Sequence, residues 1–257
     1  MTSTAGLRWR VDGVGRNLVL IHGWALSLDY WDTLVPLLAP HCRVLRFDRR
    51  GFGQSPGQPS LAADATDVFE LMDAADMAQA TLLGMSQGAR VAVAAALAQP
   101  ARVNAVILDG PPWMGAAGAA SSEAKEEELP LRRLRTLLQT QGEAALQTAM
   151  LQLPLLHLAR SNPAATALLQ RCVGTYRGLD LAATARAQPA LTVAELTMPL
   201  LVINGEQESA QRLQAGTRLQ QQVPASRRCV IEGAGHLASL DAPEHYRRAI
   251  LDFLAPA

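Results

Sequence analysis

The stretch LLGMSQGARVAVAAALAQP, Leu82 to Pro100, sets an apolar run, a turn of small residues around one serine, and an alanine-rich run in direct succession. The first reads as the end of a buried strand over Thr81 to Gly84. The last reads as a helix over Gly88 to Gln99, stopped by Pro100. Gly84-Met85-Ser86-Gln87-Gly88 therefore falls at a strand-to-helix junction. A turn this sharp crowds the backbone, so its flanking positions must lack bulky side chains. It lifts Ser86 above the sheet, at a helix N-terminus whose unpaired N–H groups and partial positive charge favour an oxyanion. The helix is apolar nearly all round from Arg90 to Ala98, which predicts burial against the sheet and a rigid base for the serine. A glycine-bounded serine turn without chemistry would carry the same five residues. The strand before and the helix after favour a nucleophile.

Outward from that turn, short apolar runs alternate with helical patterns, the sign of a mostly parallel sheet with helices on both faces. Strands are expected at Leu7–Val11, Leu18–Ile21, Arg43–Phe47 and Ala105–Leu108, with a helix over Leu28–Leu38. Ser60 is the expected cap of a helix reaching Ala74. The rhythm breaks between Trp113 and Thr197, where no strand-like run of Val and Ile occurs. Small residues from Gly115 to Ser122 and an acidic cluster, Glu123 to Glu128, open that segment. Helical patterns follow at Leu131–Leu138, Glu143–Leu153 and Ala164–Tyr176. Strands resume at Leu200–Asn204 and Arg228–Ile231, with helices over Ala210–Gln222 and Pro243–Leu254. The expected organisation is an α/β core in two parts, residues 1–112 and 198–257, interrupted by a helical lid over residues 113–197.

The 257 residues suffice for one large α/β domain with an insertion. Acidic and basic residues balance at 23 each, which points away from nucleic acid and anionic membranes as partners. Lys125 is the only lysine, a bias of composition rather than mechanism. Cys42, Cys172 and Cys229 show no zinc spacing, and no metal, nucleotide or flavin signature occurs, so no cofactor is expected. No secretory pattern opens the chain and no apolar run approaches a membrane span, so a cytoplasmic protein is expected, as monomer or small homo-oligomer.

A serine hydroxyl needs a general base. Of five histidines, His236 is best placed, in Glu232-Gly-Ala-Gly-His236 just past the last strand. His22, before Gly23 at another strand end, reads as structural. His41 reads as a loop residue, His157 as part of a helix in the insertion, and His245 as exposed on the last helix. An acid must fix the tautomer of the base. Glu208 and Glu206, in the loop Gly205-Glu-Gln-Glu-Ser209, both qualify, and Asp109 at the end of the preceding strand is a third candidate.

At these residues the chain resembles the α/β-hydrolase fold superfamily, over roughly Leu7 to Pro112 and Met198 to Leu254. Leu18-Val-Leu-Ile-His-Gly-Trp24, with Trp31 further on, is similar to its oxyanion-loop segment. Phe47-Asp-Arg-Arg-Gly-Phe-Gly-Gln-Ser55 is similar to its D-x-R-G-x-G-x-S loop, Gly84–Gly88 to its nucleophile elbow, and Gly233–His236 to its histidine loop. The resemblance implies Ser86 as nucleophile, His236 as base, and the backbone N–H groups of Trp24 and Gln87 as oxyanion hole. It implies that Asp48, Arg49 and Gly51 stabilise a loop near the site. It also places the insertion where the family carries its lid, after the sixth strand. Relatives read Gly-x-x-Asp where this chain has Glu208, a side chain one methylene longer. Within the superfamily, the His22-Gly-Trp segment with Trp31 resembles pimeloyl-carrier-protein methyl ester esterases. The residues around Arg49 and the elbow resemble 3-oxoadipate enol-lactonases as much.

Serine in place of aspartate argues against dehalogenase and epoxide hydrolase chemistry, and the H-G-x-P and H-G-G-G segments are absent. The expected reaction is hydrolysis of a small-molecule ester of small to medium acyl size. A lactonase or cofactor-free haloperoxidase is the enzymatic alternative, and a non-catalytic ligand-binding protein the alternative from another class. Trp24, Met85, Trp113, Met114, Leu153 and Leu156, with Met150 and Leu155 beside them, are candidates for an apolar pocket wall, against a reading of most as ordinary packing. Arg132, Arg133 or Arg160 would be the cations for an acidic substrate or a carrier's phosphate.

Overall fold

The computed structural model describes residues 6–115, 130–182, 190–223 and 225–255. The acidic cluster Glu123–Glu128 and most of the small-residue stretch before it lie outside the described residues. In chain order the elements are β1 (Trp9–Asp12), β2 (Arg16–Ile21), α1 (Val35–Leu38), β3 (Cys42–Phe47), α2 (Leu61–Ala74), β4 (Ala80–Met85), α3 (Gln87–Ala98), β5 (Val103–Asp109), α4 (Leu131–Met150), α5 (Pro163–Val173), α6 (Leu179–Ala182), β6 (Leu200–Gly205), α7 (Ala210–Gln222), β7 (Arg227–Ile231), α8 (Ala238–Asp241) and α9 (Pro243–Leu254). The strands form one sheet in the order β1-β3-β2-β4-β5-β6-β7, with β1 antiparallel and the rest parallel.

Strand side chains alternate between faces, and the core divides accordingly. Leu18, Leu20, Leu83, Ile107, Leu201 and Ile203 share one apolar cluster, while Val19, Leu82, Val106, Leu108, Leu200 and Val202 share the other. The first is covered by the segment 28–38, α9 and the helices between β5 and β6. The second is covered by α2, α3 and α7. All six residues of β4 are buried, as a central strand covered on both faces requires.

Ser60 accepts from the Ala63 N–H at 3.4 Å and caps α2 as expected. The helix expected over 28–38 divides into a 3₁₀ turn, Leu28–Thr33, and the short α1. Two causes are visible. Asp48 takes the Leu28 N–H at 2.6 Å, and Pro36 has no N–H to extend the ladder back to residue 32. The two helices expected over 131–153 form one run broken at Gly142, whose φ of 81° suits glycine alone. His157 is not helical. It follows the 3₁₀ turn Pro154–Leu156 with extended backbone, and its N–H donates to Pro154 O at 3.1 Å. The insertion follows β5, the fifth strand among the described residues and not the sixth as expected. Among the described residues no helix is long and apolar enough to cross a membrane.

Candidate active site

Six strand ends open on the carboxyl edge of the sheet, where open α/β sheets place their ligands. β4 ends at Met85 and α3 begins at Gln87, so Ser86 alone makes the turn. Its φ is 53° and ψ −115°, a conformation that costs a non-glycine residue energy and persists only when its surroundings enforce it. They do. The Ser86 N–H donates to Asp109 O at 2.7 Å. A Cβ at Gly84 would overlap the Gly88 carbonyl, and one at Gly88 would overlap the carbonyls of Ile21 and His22. A Cβ at Gly23 would lie 2.5 Å from Met85 Sδ and 3.3 Å from Ser86 Cβ. The loop after β2 thus rests directly on the serine turn.

His22 and Arg49 hold that loop. His22 is wholly buried, its Nδ1 2.8 Å from Gly23 O, and its Nε2 accepts the Arg49 N–H at 3.0 Å. Burial, helped by the Arg49 charge, pushes its pKa well below the usual value, which makes it a neutral tether. The Arg49 guanidinium pairs with Asp64 at 3.2 Å, lies over the Phe52 ring, and donates to Gln87 Oε1 at 2.5 Å. Asp48 accepts from the N–H groups of Leu28 and Gln54 at 2.6 and 2.8 Å.

The three carboxylates left open by the sequence separate cleanly. Glu208 Oε1 lies 2.7 Å from His236 Nδ1, with both side chains buried. Burial raises the Glu208 pKa, but the charge of His236, the hydrogen bond to it, and Arg212 outweigh that, leaving Glu208 below the usual value. Asp109 is also buried, but it accepts from the Tyr246 hydroxyl at 2.9 Å, and burial pushes its pKa well above the usual range. Glu206 accepts the Gly233 N–H at 2.9 Å and braces the histidine loop. Asp241 does the same from the other side, taking the Gly235 N–H at 2.8 Å.

Ser86 Oγ accepts from Arg212 Nη1 at 3.2 Å. Arg212, on the first turn of α7, is absent from the residues that the sequence singled out. Nothing in its spacing distinguishes it from the other arginines of this chain.

A cavity of about 640 Å³ opens beside His236 and Glu208, walled by Leu155, His157, Leu158 and Gln211 among others. The six expected pocket residues are not brought together. Met85, Leu153 and Leu156 pack with Trp24 in the first apolar cluster, as does Met150. Trp113 and Met114 belong to the second, on the opposite face, where Arg218 lies 5.7 Å over the Trp113 ring. The chain leaves β5 toward that face, which carries both residues away from the others. The Trp24 indole N–H donates to Asp180 at 2.7 Å, and the Tyr176 hydroxyl donates to the same carboxylate at 2.8 Å.

Arg160 does not stand ready for a substrate anion. Its guanidinium donates to the carbonyls of Gly233 and Glu232, both at 3.2 Å. Arg132 and Arg133 are exposed on α4; His41 lies in a turn and His245 is exposed on α9, as expected. Among the described residues, no group of three or more His, Cys, Asp or Glu side chains is placed to hold a metal ion.

The family model described as "alpha/beta hydrolase fold" matches residues 16–159, more than half of the chain, and the chain belongs to that family. It is an α/β hydrolase with esterase relatives. It is 31% identical, over 97% of its length and 98% of theirs, to the pimeloyl-[acyl-carrier protein] methyl ester esterase of Serratia marcescens. Among solved structures it superimposes on a thermophilic esterase from Thermogutta terrifontis with a TM-score of 0.82, at 26% identity and covering 99% of this chain and 96% of that one. The enol-lactonase from Burkholderia xenovorans LB400 gives a TM-score of 0.79, at 26% identity and 96% of both chains.

Proposed function

We propose that this chain is a serine ester hydrolase working through an acyl-enzyme, with Ser86 as nucleophile, His236 as general base and Glu208 as the acid. The observation that carries the reading is the buried 2.7 Å contact between His236 Nδ1 and Glu208, together with the elbow that holds Ser86 at φ 53°. The carboxylate holds the proton on Nδ1 and leaves Nε2 free to take one from Ser86. Among the described residues, Ser86 and His236 share no hydrogen bond. Such bonds often tighten only when substrate arrives.

Ser86 Oγ attacks the ester carbonyl and its proton passes to His236. The backbone N–H groups of Trp24 and Gln87 stabilise the oxyanion. Gln87 is the first residue of α3, and Trp24 follows the glycine that rests on the elbow, which suits both to that role. The alcohol leaves with the proton from His236, and water then hydrolyses the acyl-enzyme. The helical residues between β5 and β6 act as a lid, and the cavity beside His236 admits the ester. Lactones are cyclic esters and use the same machinery.

The test is the initial rate on p-nitrophenyl esters from acetate to decanoate, with Ser86→Ala as control. Wild-type turnover should fall about a million-fold in the variant. Equal rates in both proteins would remove Ser86 from the mechanism.

A further inference from the structure

The Arg212 side chain is buried, and a buried guanidinium must find acceptors. Two are set around one nitrogen. Nη1 donates to Gly110 O at 2.6 Å and to Ser86 Oγ at 3.2 Å. The helix cap fixes the stem, since the Arg212 N–H donates to Ser209 O at 3.0 Å and lies 3.4 Å from Ser209 Oγ. Gly110 is itself pressed into the site. A Cβ there would lie 2.8 Å from the His236 ring and 3.0 Å from Glu208 Oε2. One guanidinium nitrogen therefore touches the serine directly, and the backbone against which the histidine and its carboxylate rest.

We propose that Arg212 is a positioning residue for Ser86, taking one lone pair of Oγ so that its proton is left for His236 and its other lone pair for the ester carbonyl. A hydroxyl has one proton to donate and two lone pairs to accept with, so these three engagements saturate it. The guanidinium also sits where negative charge develops on Oγ as the proton leaves, in a place screened from water. Its charge opposes formation of the imidazolium, and the Glu208 carboxylate, held ionised in part by Arg212 itself, offsets that.

The proposal rests on the reading of Ser86 as nucleophile, and the experiment separates the two. A fluorophosphonate probe is timed against wild type, Ser86→Ala, Arg212→Met and Arg212→Lys, with p-nitrophenyl ester kinetics and thermal unfolding on each. Labelling of wild type but not of Ser86→Ala establishes the nucleophile. Arg212→Met should then label about tenfold to a hundredfold more slowly, the worth of a charge-assisted hydrogen bond. Its kcat should fall in step while KM stays within about twofold. Arg212→Lys keeps the charge on a single nitrogen, but its shorter side chain carries that nitrogen less far toward Gly110 O and Ser86 Oγ, and it should fall between the two.

Wild-type labelling in Arg212→Met, with or without a lower melting temperature, overturns the proposal. So does faster labelling, which would mean that Arg212 holds the hydroxyl away from His236. If Arg212→Met does not fold, Arg212→Lys decides. Slower labelling at unchanged KM supports the proposal, and wild-type labelling ends it. A wild type that does not label removes the ester-hydrolase reading and this proposal with it.

Discussion

At the scale of single residues, two buried carboxylates are shifted in opposite directions. The Arg212 charge acts on both, but Glu208 also has the His236 ring at 2.7 Å, whereas Asp109 has the Tyr246 hydroxyl at 2.9 Å and the charge of Glu208 against it. Glu208→Gln should therefore lower kcat about ten-thousand-fold, as loss of the orienting acid does in other triads. Asp109→Asn keeps an acceptor for Tyr246 and should stay within about tenfold of wild type by the same comparison. Steady-state kinetics of the two variants side by side would show it, and the reverse order would transfer the role to Asp109. His22 makes a second prediction, about stability. Its pKa is depressed in the folded chain and close to 6.5 when unfolded, so below that value the unfolded state binds the extra proton. Its contribution is full above about pH 6.5 and is lost as the pH falls, by about 1.4 kcal/mol per pH unit until the folded group titrates. Urea midpoints between pH 7 and pH 5 should fall more steeply for wild type than for His22→Gln. Equal slopes would mean that His22 is not held neutral. Ser86, His236 and Glu208 were legible because each sits beside a glycine-marked strand end. Arg212, Asp180 and Asp241 were not, because what distinguishes them is a partner far away in sequence, which spacing cannot reveal.

At the scale of elements, the strand-turn-helix unit around Ser86 shows why the fold was legible there. Every residue of β4 is buried, so its apolar run had no polar alternation to obscure it. Gly84 and Gly88 marked its turn because the backbone of β2 and of α3 fills the space where side chains would go. Gly88→Ala should destabilise the chain by about 1–3 kcal/mol, the usual cost of overpacking, since the atoms in the way are carbonyls of the central sheet and cannot swing aside. Chemical denaturation would measure it, and an unchanged midpoint would show that the elbow has slack. The segment 28–38 was harder to read. Its apolar spacing suits a helix, but Asp48, 20 residues beyond Leu28, captures the first N–H and tightens the turn. The split of the pocket residues has the same origin. Trp113 and Met114 follow directly on β5, and no local pattern says which face of the sheet the chain takes after a strand ends.

At the scale of the whole molecule, the helices between β5 and β6 must be fastened to a core that their own sequence does not specify. One fastening is apolar: Leu134, Leu146, Met150, Leu168 and Leu169 join the cluster beneath the segment 28–38. The other is polar and lies over the serine turn. Asp180, on α6, accepts from the Trp24 indole at 2.7 Å and the Tyr176 hydroxyl at 2.8 Å, while Tyr176 stacks on Phe52 and meets Trp24 edge-on. Trp24 belongs to the loop proposed to hold the oxyanion, so this carboxylate joins the insertion to that loop. Asp180→Ala leaves two donors without their acceptor, which costs about 1–3 kcal/mol where water cannot replace it. That cost falls on the docking of the insertion and not on the sheet, whose strands make no contact with Asp180 among its hydrogen bonds. Limited proteolysis should accordingly cut Asp180→Ala faster within residues 130–182 than wild type, with the sheet resistant in both. KM should rise more than kcat falls, because substrate would meet a site whose cover must first be ordered. Asp180→Asn, which retains one acceptor oxygen, should lie between. If neither the cleavage pattern nor KM changes, the apolar contacts alone fasten the insertion, and Trp24 is positioned by Gly23 and the elbow without help from α6.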